Sequence, residues 1–330
     1  MMNQLYRLAA SNAFLLSLVL GTMSIACQTT EPPAKETDEP AAAQPELESL
    51  LGQPLYALDD PQGGISQADA FLVEDPENLA LIVQAAVVRE QMWRYVGAIE
   101  LYGRGIEVAP EDWRLYRHRG HRYITTRQFA KAIVDLEEAR ELAPYSFDVA
   151  FYLGLALYLE GRFGDAADEW GRCLGLAEDE EALALDLSGS FGPSFRSCMD
   201  ISRDRSTRIV ITEWAYRSLR KADRDTAASE LLDTIGEDWT FGDRQPYYFL
   251  LKFRKGLLSE QQVLDPENLG ENRFETLAYG VATEHLFKGD TARAKELLEE
   301  IVADPYWPGF GRIAAEVELV RMGSVAAESN

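Results

Sequence analysis

The side chains best suited to chemistry in this 330-residue chain are three histidines and three cysteines. His118 and His121 lie three positions apart, so a helix would place both imidazoles on one face, where two histidines can ligate a metal ion. Four arginines surround the pair, and their positive charge repels a cation. We therefore predict no metal at these histidines, whose neighbours are Arg114, Arg117, Arg119 and Arg122.

No other combination of residues matches a catalytic motif. The chain has no HExxH, CxxC or G-x-S-x-G sequence and no phosphate-binding loop. Its carboxylates are numerous but scattered, and no pair has a recognisable hydrolytic arrangement. The sequence therefore predicts a protein that is not an enzyme, with no catalytic residues and no cofactor.

The elements that position these side chains are helical. Residues 113–146 hold two helical patterns separated by a polar turn at 125–128. Pro144 ends the second helix because proline lacks the N–H group that a helix requires. In that helix the apolar residues recur every three to four positions, which favours one buried face: Phe129, Ala132, Ile133, Leu136, Ala139 and Leu142.

The same pattern recurs on both sides of this stretch, at a period of about 34 residues. This helix–turn–helix period, with small residues where paired helices cross, resembles the tetratricopeptide repeat. The resemblance covers three units, at 79–112, 113–146 and 147–180, and implies an all-α, right-handed superhelical solenoid. The aligned residues are Gly120 with Gly154, Phe129 with Tyr95 and Phe163, and Ala132 with Ala98 and Ala166.

Weaker helical patterns flank the three clear units. A glycine- and serine-rich loop lies at 186–208, degenerate repeats follow at 209–322, and a frayed tail is expected at 323–330. We predict about six helix pairs in one solenoid over 49–322, with a closing helix at 313–322. Before the first unit, 46–56 is predicted to be a short helix or an apolar lead-in. Ser66 is positioned to cap a further helix over 66–75.

Two arginines occupy positions where the repeat family usually has aromatic or apolar side chains. They are Arg89 in the first unit and Arg119 in the second. A buried guanidinium without a partner is costly, so each requires a carboxylate or an exit to solvent. The sequence offers three candidate carboxylates and does not choose among Glu100, Asp135 and Glu138.

The N-terminus has the pattern of a signal peptide over 1–26. Arg7 precedes an apolar core at 8–20, and the tripeptide Ser-Ile-Ala precedes Cys27. This junction resembles the lipobox of bacterial lipoproteins, in which the cysteine is acylated and becomes the new N-terminus. Two alternatives stay open: ordinary cleavage that leaves Cys27 unmodified, and a retained membrane helix.

The composition agrees with export. Residues 27–48 are acidic and rich in proline and alanine, which predicts a disordered tether between a membrane and a folded domain. The chain has 55 acidic and 32 basic residues, a formal charge of −23, which argues against nucleic-acid binding and favours solubility. We expect a periplasm-facing protein that a lipid anchors to a bacterial membrane, with the outer membrane favoured.

The remaining cysteines, Cys173 and Cys198, have two interpretations. In an exported protein two such cysteines often pair, and the bridge would join the glycine- and serine-rich loop to the third repeat. Loop-closure entropy would then contribute about 3 kcal/mol. Alternatively, Cys173 is a small core residue, because it aligns with Ala139 of the second repeat.

The resemblance also implies a binding site. In this repeat class the first helix of each pair lines the concave surface, where a partner's peptide segment usually lies. Arginines there can grip a carboxylate beside an apolar shelf, although they can equally pair with Asp148 or Glu111. The lysine and asparagine clamp of chaperone-binding tetratricopeptide domains is not reproduced. The predicted groove residues are Arg114, Arg117, His121, Phe151, Leu155 and Tyr158.

Two functions follow from this pattern. The favoured one is a membrane-anchored envelope scaffold that binds partner proteins or extended segments in the groove. The alternative is a small-ligand receptor or an enzyme, with its site in the 186–208 loop or the C-terminal repeats. The strongest local likeness is to exported bacterial tetratricopeptide proteins, at LYRHRGHRYITTR (115–127) and WPGFGRIAAEVEL (307–319).

Overall fold

The computed structural model describes residues 44–328 apart from 186, 188–195, 240, 242–245 and 266–273. The predicted signal peptide, Cys27 and most of the tether lie outside the described residues. Among the residues described, no helix has the length and apolar character needed to cross a membrane.

The three predicted repeats are three consecutive helix pairs. Their first helices begin at equivalent positions because a capping side chain recurs once in every period: Asn78, Asp112 and Ser146 each accept a backbone N–H. The helix pairs therefore follow the predicted units. The helices are α2 (Leu79–Gln91) and α3 (Tyr95–Val108), α4 (Trp113–Thr125) and α5 (Phe129–Leu142), and α6 (Phe147–Glu160) and α7 (Phe163–Leu176).

The aligned glycines have the packing role that the sequence predicted. A Cβ atom on Gly120 would lie 2.7 Å from Cγ of Leu136, and one on Gly154 would lie 2.3 Å from Cε2 of Trp170. Both distances are shorter than any tolerated carbon contact. The paired helices can approach this closely only because these positions carry no side chain.

The C-terminal part continues as helices of less regular length, from 4 to 19 residues. The last helix, α15, begins before and ends after the closing helix predicted at 313–322. Its end includes most of the tail, 323–330, that was expected to fray. The helices are α8 (Glu180–Leu183), α9 (Arg205–Lys221), α10 (Asp225–Asp233), α11 (Pro246–Arg254), α12 (Glu260–Val263), α13 (Phe274–Phe287), α14 (Thr291–Ala303) and α15 (Phe310–Glu328). The chain is thus an all-α solenoid of tetratricopeptide-like helix pairs.

The N-terminal cap differs from the expectation. The short helix expected over 46–56 is instead a two-stranded antiparallel hairpin, β1 (Leu47–Glu48) and β2 (Pro54–Leu55). Gly52 turns the chain with φ 74°, and the Ser49 hydroxyl accepts two backbone N–H groups within the turn. Helix α1 (Gly64–Glu74) follows and is capped by the Asp60 carboxylate rather than by Ser66.

The loop after the third repeat is joined to that repeat at its far end. Cys173 of α7 is bonded to Cys198, which begins a short 3-10 helix (Cys198–Ser202), and their Cα atoms lie 5.1 Å apart. Ser197 pairs with Ser146 in an isolated antiparallel bridge beside the start of α6. The loop predicted over 186–208 falls partly outside the described residues.

Both unusual arginines have carboxylate partners. Arg119 donates two hydrogen bonds of 2.7 Å to Asp135, one of the three candidates. Arg89 instead pairs with Asp69 of α1 through two hydrogen bonds of 2.9 Å, a partner that the repeat pattern does not indicate. The N-terminal cap therefore neutralises the arginine of the first repeat.

Candidate functional site: the inner wall of the repeats

The predicted groove residues of α4 lie together, but only one is open to solvent. The Arg114 side chain is 54% exposed and forms an ion pair with Asp112. Arg117 is only 12% exposed; its guanidinium lies 3.7 Å from the Asp148 carboxylate and 4.5 Å from the centre of the Tyr152 ring. The pairing with Asp148 that the sequence left as an alternative is thus present, as an ion pair whose atoms are farther apart than in a hydrogen bond.

The two histidines pack against aromatic rings. His118 stacks on Tyr102 with ring centres 5.2 Å apart, and His121 stacks on Tyr152 at 4.2 Å. Burial, followed by the charge of Arg117, lowers the pKa of His118 to about 3, and burial likewise lowers the pKa of His121. Both imidazoles are neutral at pH 7. Within the described part of the chain, no group of three or more metal-ligating side chains is assembled.

The groove residues predicted on α6 are buried, and this part of the prediction is wrong. Leu155 and Tyr158 are 0% exposed and Phe151 is 9% exposed. The Tyr158 hydroxyl shares a 2.8 Å hydrogen bond with the hydroxyl of Tyr279 on α13, and burial raises its pKa. The three side chains belong to a hydrophobic core that α6 shares with α13 and α15, so they are not open to a partner in this structure.

The first helices of the second and third repeats, α4 and α6, form a surface here called the inner wall. Residues 304–322, here called the closing segment, lie against it. The Phe310 ring of α15 packs at 5.3 Å from His121, 5.9 Å from Tyr152 and 6.5 Å from Phe151, measured between ring centres. Further along the helix, Arg321 donates to the backbone carbonyl of Leu159 at the end of α6 (2.8 Å). The closing segment therefore occupies the place where the sequence predicted a partner.

A buried ion pair fixes the middle of the closing segment. Glu316 is 0% exposed and accepts hydrogen bonds of 3.0 and 2.7 Å from Arg127, which is 3% exposed. The same carboxylate lies within 3.3 Å of Arg312 and accepts the backbone N–H of Leu50 in the N-terminal hairpin at 3.4 Å. The first and last parts of the folded domain thus meet at one carboxylate.

A cluster of aromatic rings holds the start of the closing segment. The Trp307 indole is 3% exposed, and its N–H donates to the carbonyl of Tyr56 at 2.8 Å. Its ring makes edge contacts with Trp93 at 5.8 Å and Tyr95 at 5.3 Å. Arg127 also donates to the Trp307 carbonyl at 3.1 Å. The cluster joins the first repeat to the closing segment.

Sequence reasoning missed the closing segment and its receptor residues. In the sequence, residues 125–128 have only the pattern of a polar turn. Trp307 and Glu316 lie in a stretch that reads as the approach to an ordinary C-terminal helix and that helix itself. One signal was present in the sequence: when the repeats are aligned, Trp93 and Arg127 occupy the position that Gly161 has in the third repeat. Two large side chains at a turn position that holds glycine in the next repeat indicate contacts beyond the repeat itself.

A second concave surface lies between α7, α9 and α10. It is an open groove of about 530 Å³ whose floor includes Ala215, Leu219 and Leu231. Ion pairs join its two sides, Asp168 with Arg224 at 2.5 Å and Glu178 with Arg208 at 2.7 Å. This groove adjoins the end of the 186–208 loop, where the alternative function placed its site.

Comparisons with known proteins agree with the repeat assignment over part of the chain. No family model matches. Tetratricopeptide repeat protein 28 is 32% identical over 141 residues in Mus musculus and 31% identical over 141 residues in Homo sapiens. The match covers 43% of this chain and 5% of either relative, so the chain spans a small fraction of their length.

Two solved structures show a partial likeness to this chain. MamA (AMB-1) is 20% identical with a TM-score of 0.38, covering 52% of this chain and 93% of that one. YrrB, described as a tetratricopeptide repeat protein with an unusual peptide-binding site, is 12% identical with a TM-score of 0.39, covering 81% and 100%. The fold assignment rests on the helix pairs described above and not on these likenesses.

Proposed function

We propose that this chain is a non-enzymatic adaptor of the bacterial envelope that binds segments of partner proteins along the inner wall of its repeats. The observation that carries the proposal is that this wall already binds a polypeptide. Residues 304–322 lie on it through aromatic rings, a buried ion pair and hydrogen bonds to helix-end carbonyls. A wall with this composition is suited to a protein segment rather than to a reacting small molecule.

The location is part of the same proposal. Cys27 follows a signal-peptide pattern and begins the acidic, proline- and alanine-rich stretch 27–48, whose last two residues form strand β1. Acylation of Cys27 would hold the solenoid at a membrane and leave the domain free to gather other envelope proteins. Mass spectrometry of the membrane fraction tests this directly. Two acyl chains or more on an N-terminal Cys27 support the anchor, and an unmodified Cys27 contradicts it.

Site-specific photocrosslinking in intact cells tests the adaptor function. A photoreactive amino acid at Arg114, the exposed position on the inner wall, should capture a discrete set of envelope proteins. The matched control is Val134, which is 66% exposed on α5. Capture at Arg114 and not at Val134 supports binding along the wall. The same proteins at both positions, or none at either, contradict it.

The groove between α7, α9 and α10 favours a second candidate, a small-ligand receptor. Its open volume and its apolar floor could hold a small apolar molecule, at the place where the 186–208 loop ends. Native mass spectrometry of the purified chain distinguishes the two functions. A bound metabolite that is lost in a Leu231→Arg variant supports the receptor, and a ligand-free chain that still crosslinks through Arg114 supports the adaptor.

A further inference from the structure

The turn inside each repeat has a feature that the repeat fold alone does not require. Trp93, Arg127 and Gly161 occupy the same turn position, each one repeat period from the next, with φ of 56°, 61° and 95°. Glycine adopts this left-handed conformation without steric cost, whereas residues with a Cβ atom rarely do. Two of the three repeats therefore carry a large side chain where the backbone alone favours glycine.

All three turns face the closing segment, in order. Trp93 packs against Tyr306 and Trp307, with ring centres 5.7 and 5.8 Å away. Arg127 pairs with Glu316. At Gly161 a Cβ atom would lie 3.2 Å from Nη2 of Arg321. Successive turns thus meet successive parts of the segment, at 306–307, 316 and 321, and together form a surface that we call the turn edge.

The contacts at the turn edge differ in kind from those that hold α15 to its own repeat. Helix α15 packs along α13 and α14, with Ile313, Ala314 and Val317 buried. At the turn edge the contacts are ion pairs, hydrogen bonds and edge-on rings. A segment without the carboxylate would leave the buried Arg127 guanidinium without its counter-charge, which is costly, so these contacts select a segment by its chemistry.

We propose that the turn edge is a docking surface for a helical segment and that residues 304–322 are its resident, displaceable ligand. This inference rests on the adaptor function proposed above and adds the chemistry of the partner. A matching segment carries a large aromatic ring that reaches Trp93 and Tyr95, and a carboxylate about nine positions later that reaches Arg127. These are the positions of Trp307 and Glu316. An acidic helix preceded by an aromatic residue is therefore the partner that this surface fits.

A labelled peptide with the sequence of residues 304–322 is the probe. The receptor is the full chain with its own segment weakened by Trp307→Ala and Glu316→Gln. Because the resident segment competes with the probe, the weakened chain should bind it on the order of tenfold more tightly than the wild-type chain does. A peptide carrying the same two substitutions should bind at least tenfold more weakly than the probe. A chain with Glu299→Gln, an exposed charge on α14, is the matched control.

Two results would overturn the proposal: equal affinity of the probe for the weakened and wild-type chains, or no binding to either. If the weakened chain loses its helical circular dichroism, hydrogen exchange of the wild-type chain decides instead. The amides of 310–322 should then exchange through an opening that leaves α4 and α6 protected, and one common rate for all three helices would contradict displacement. The photocrosslinking experiment tests the adaptor function separately: if that function is wrong, no partner protein is crosslinked at Arg114.

Discussion

At the scale of single residues, Glu316 joins more of the molecule than any sequence pattern indicated. It contacts the second repeat through Arg127, its own helix through Arg312, and the N-terminal hairpin through the backbone of Leu50. A carboxylate with 0% exposure is tolerable there only because two guanidinium groups surround it. Stability should therefore respond strongly to substitutions at this residue and its neighbours.

Replacing Glu316 with alanine should lower the free energy of unfolding by about 3–5 kcal/mol, because two buried guanidinium groups lose their counter-charge. Urea denaturation followed by circular dichroism measures the change. Glu299→Ala is the control, since the ion pair of Glu299 with Lys295 has both side chains 58% exposed. That control should change the free energy by less than about 1 kcal/mol. Equal losses in the two variants would show that Glu316 is not a buried link between α15 and the second repeat.

Glu275 at the start of α13 predicts a pH dependence. Burial against the start of α15, helped by Asp304, raises its pKa to about 7, although its carboxylate accepts the backbone N–H of Arg312 at 3.3 Å. Because the folded pKa lies above the unfolded value of 4.5, the folded chain binds more protons between these values. The contribution of Glu275 to the free energy of unfolding therefore falls as the pH rises from about 4.5 to about 7, by up to about 3 kcal/mol.

Thermal or urea unfolding at several pH values, compared with the Glu275→Gln variant, isolates this contribution. The variant should equal or exceed the wild-type chain in stability above pH 7 and should lose that advantage towards about pH 4.5. The control is Asp265→Asn, which removes an acid that precedes α13 in the chain. A difference between Glu275→Gln and wild type that does not vary with pH would rule out the raised pKa.

At the scale of elements, the crossing of paired helices depends on glycine, and two glycines of the third repeat test this. Gly154→Ala should destabilise the chain by about 1–3 kcal/mol or more, because the new methyl group would overlap the Trp170 ring. Gly171→Ala, on the exposed face of α7 with open space around it, should instead stabilise by roughly 0.5–1 kcal/mol. Chemical denaturation of both variants gives the comparison, and the same sign for both would contradict the described packing.

The disulfide provides a prediction for the connection after the third repeat. Removing it with Cys173→Ser and Cys198→Ser should lower the free energy of unfolding by about 3 kcal/mol, because the intervening loop regains entropy in the unfolded chain. Alkylation of the non-reduced wild-type protein should find neither cysteine reactive. Two reactive thiols, or a double variant as stable as the wild type, would exclude a bridge that stabilises the fold.

At the scale of the whole molecule, the sequence predicted the solenoid well and the binding surface poorly, for one physical reason. Repeat boundaries depend on features that recur once per period, and the glycines at 120 and 154 with the caps at 112 and 146 make that recurrence readable. The closing segment depends on contacts between parts of the chain that are far apart in sequence, such as Arg127 with Glu316, 189 residues apart. Periodicity carries no information at that separation.

The candidate site illustrates the same limit. Leu155 and Tyr158 align with inner-wall positions of the repeat family and do lie on α6. Their burial against the C-terminal helices cannot be deduced from the sequence of the repeat. Arg89 likewise required the N-terminal cap, whose helix α1 supplies Asp69. The pattern of each repeat was sufficient to place these residues on their helices, whereas their partners came from parts of the chain that do not repeat.

A matching segment is expected to displace residues 304–322 from the turn edge. Fluorescence energy transfer between dyes placed at Val134 on α5 and Val320 on α15, both exposed positions, measures this most directly. With Trp307→Ala and Glu316→Gln in the labelled chain, saturating peptide 304–322 should lower the transfer efficiency in step with peptide binding. An efficiency that stays constant while the peptide binds would place the peptide elsewhere and show that residues 304–322 are not displaced.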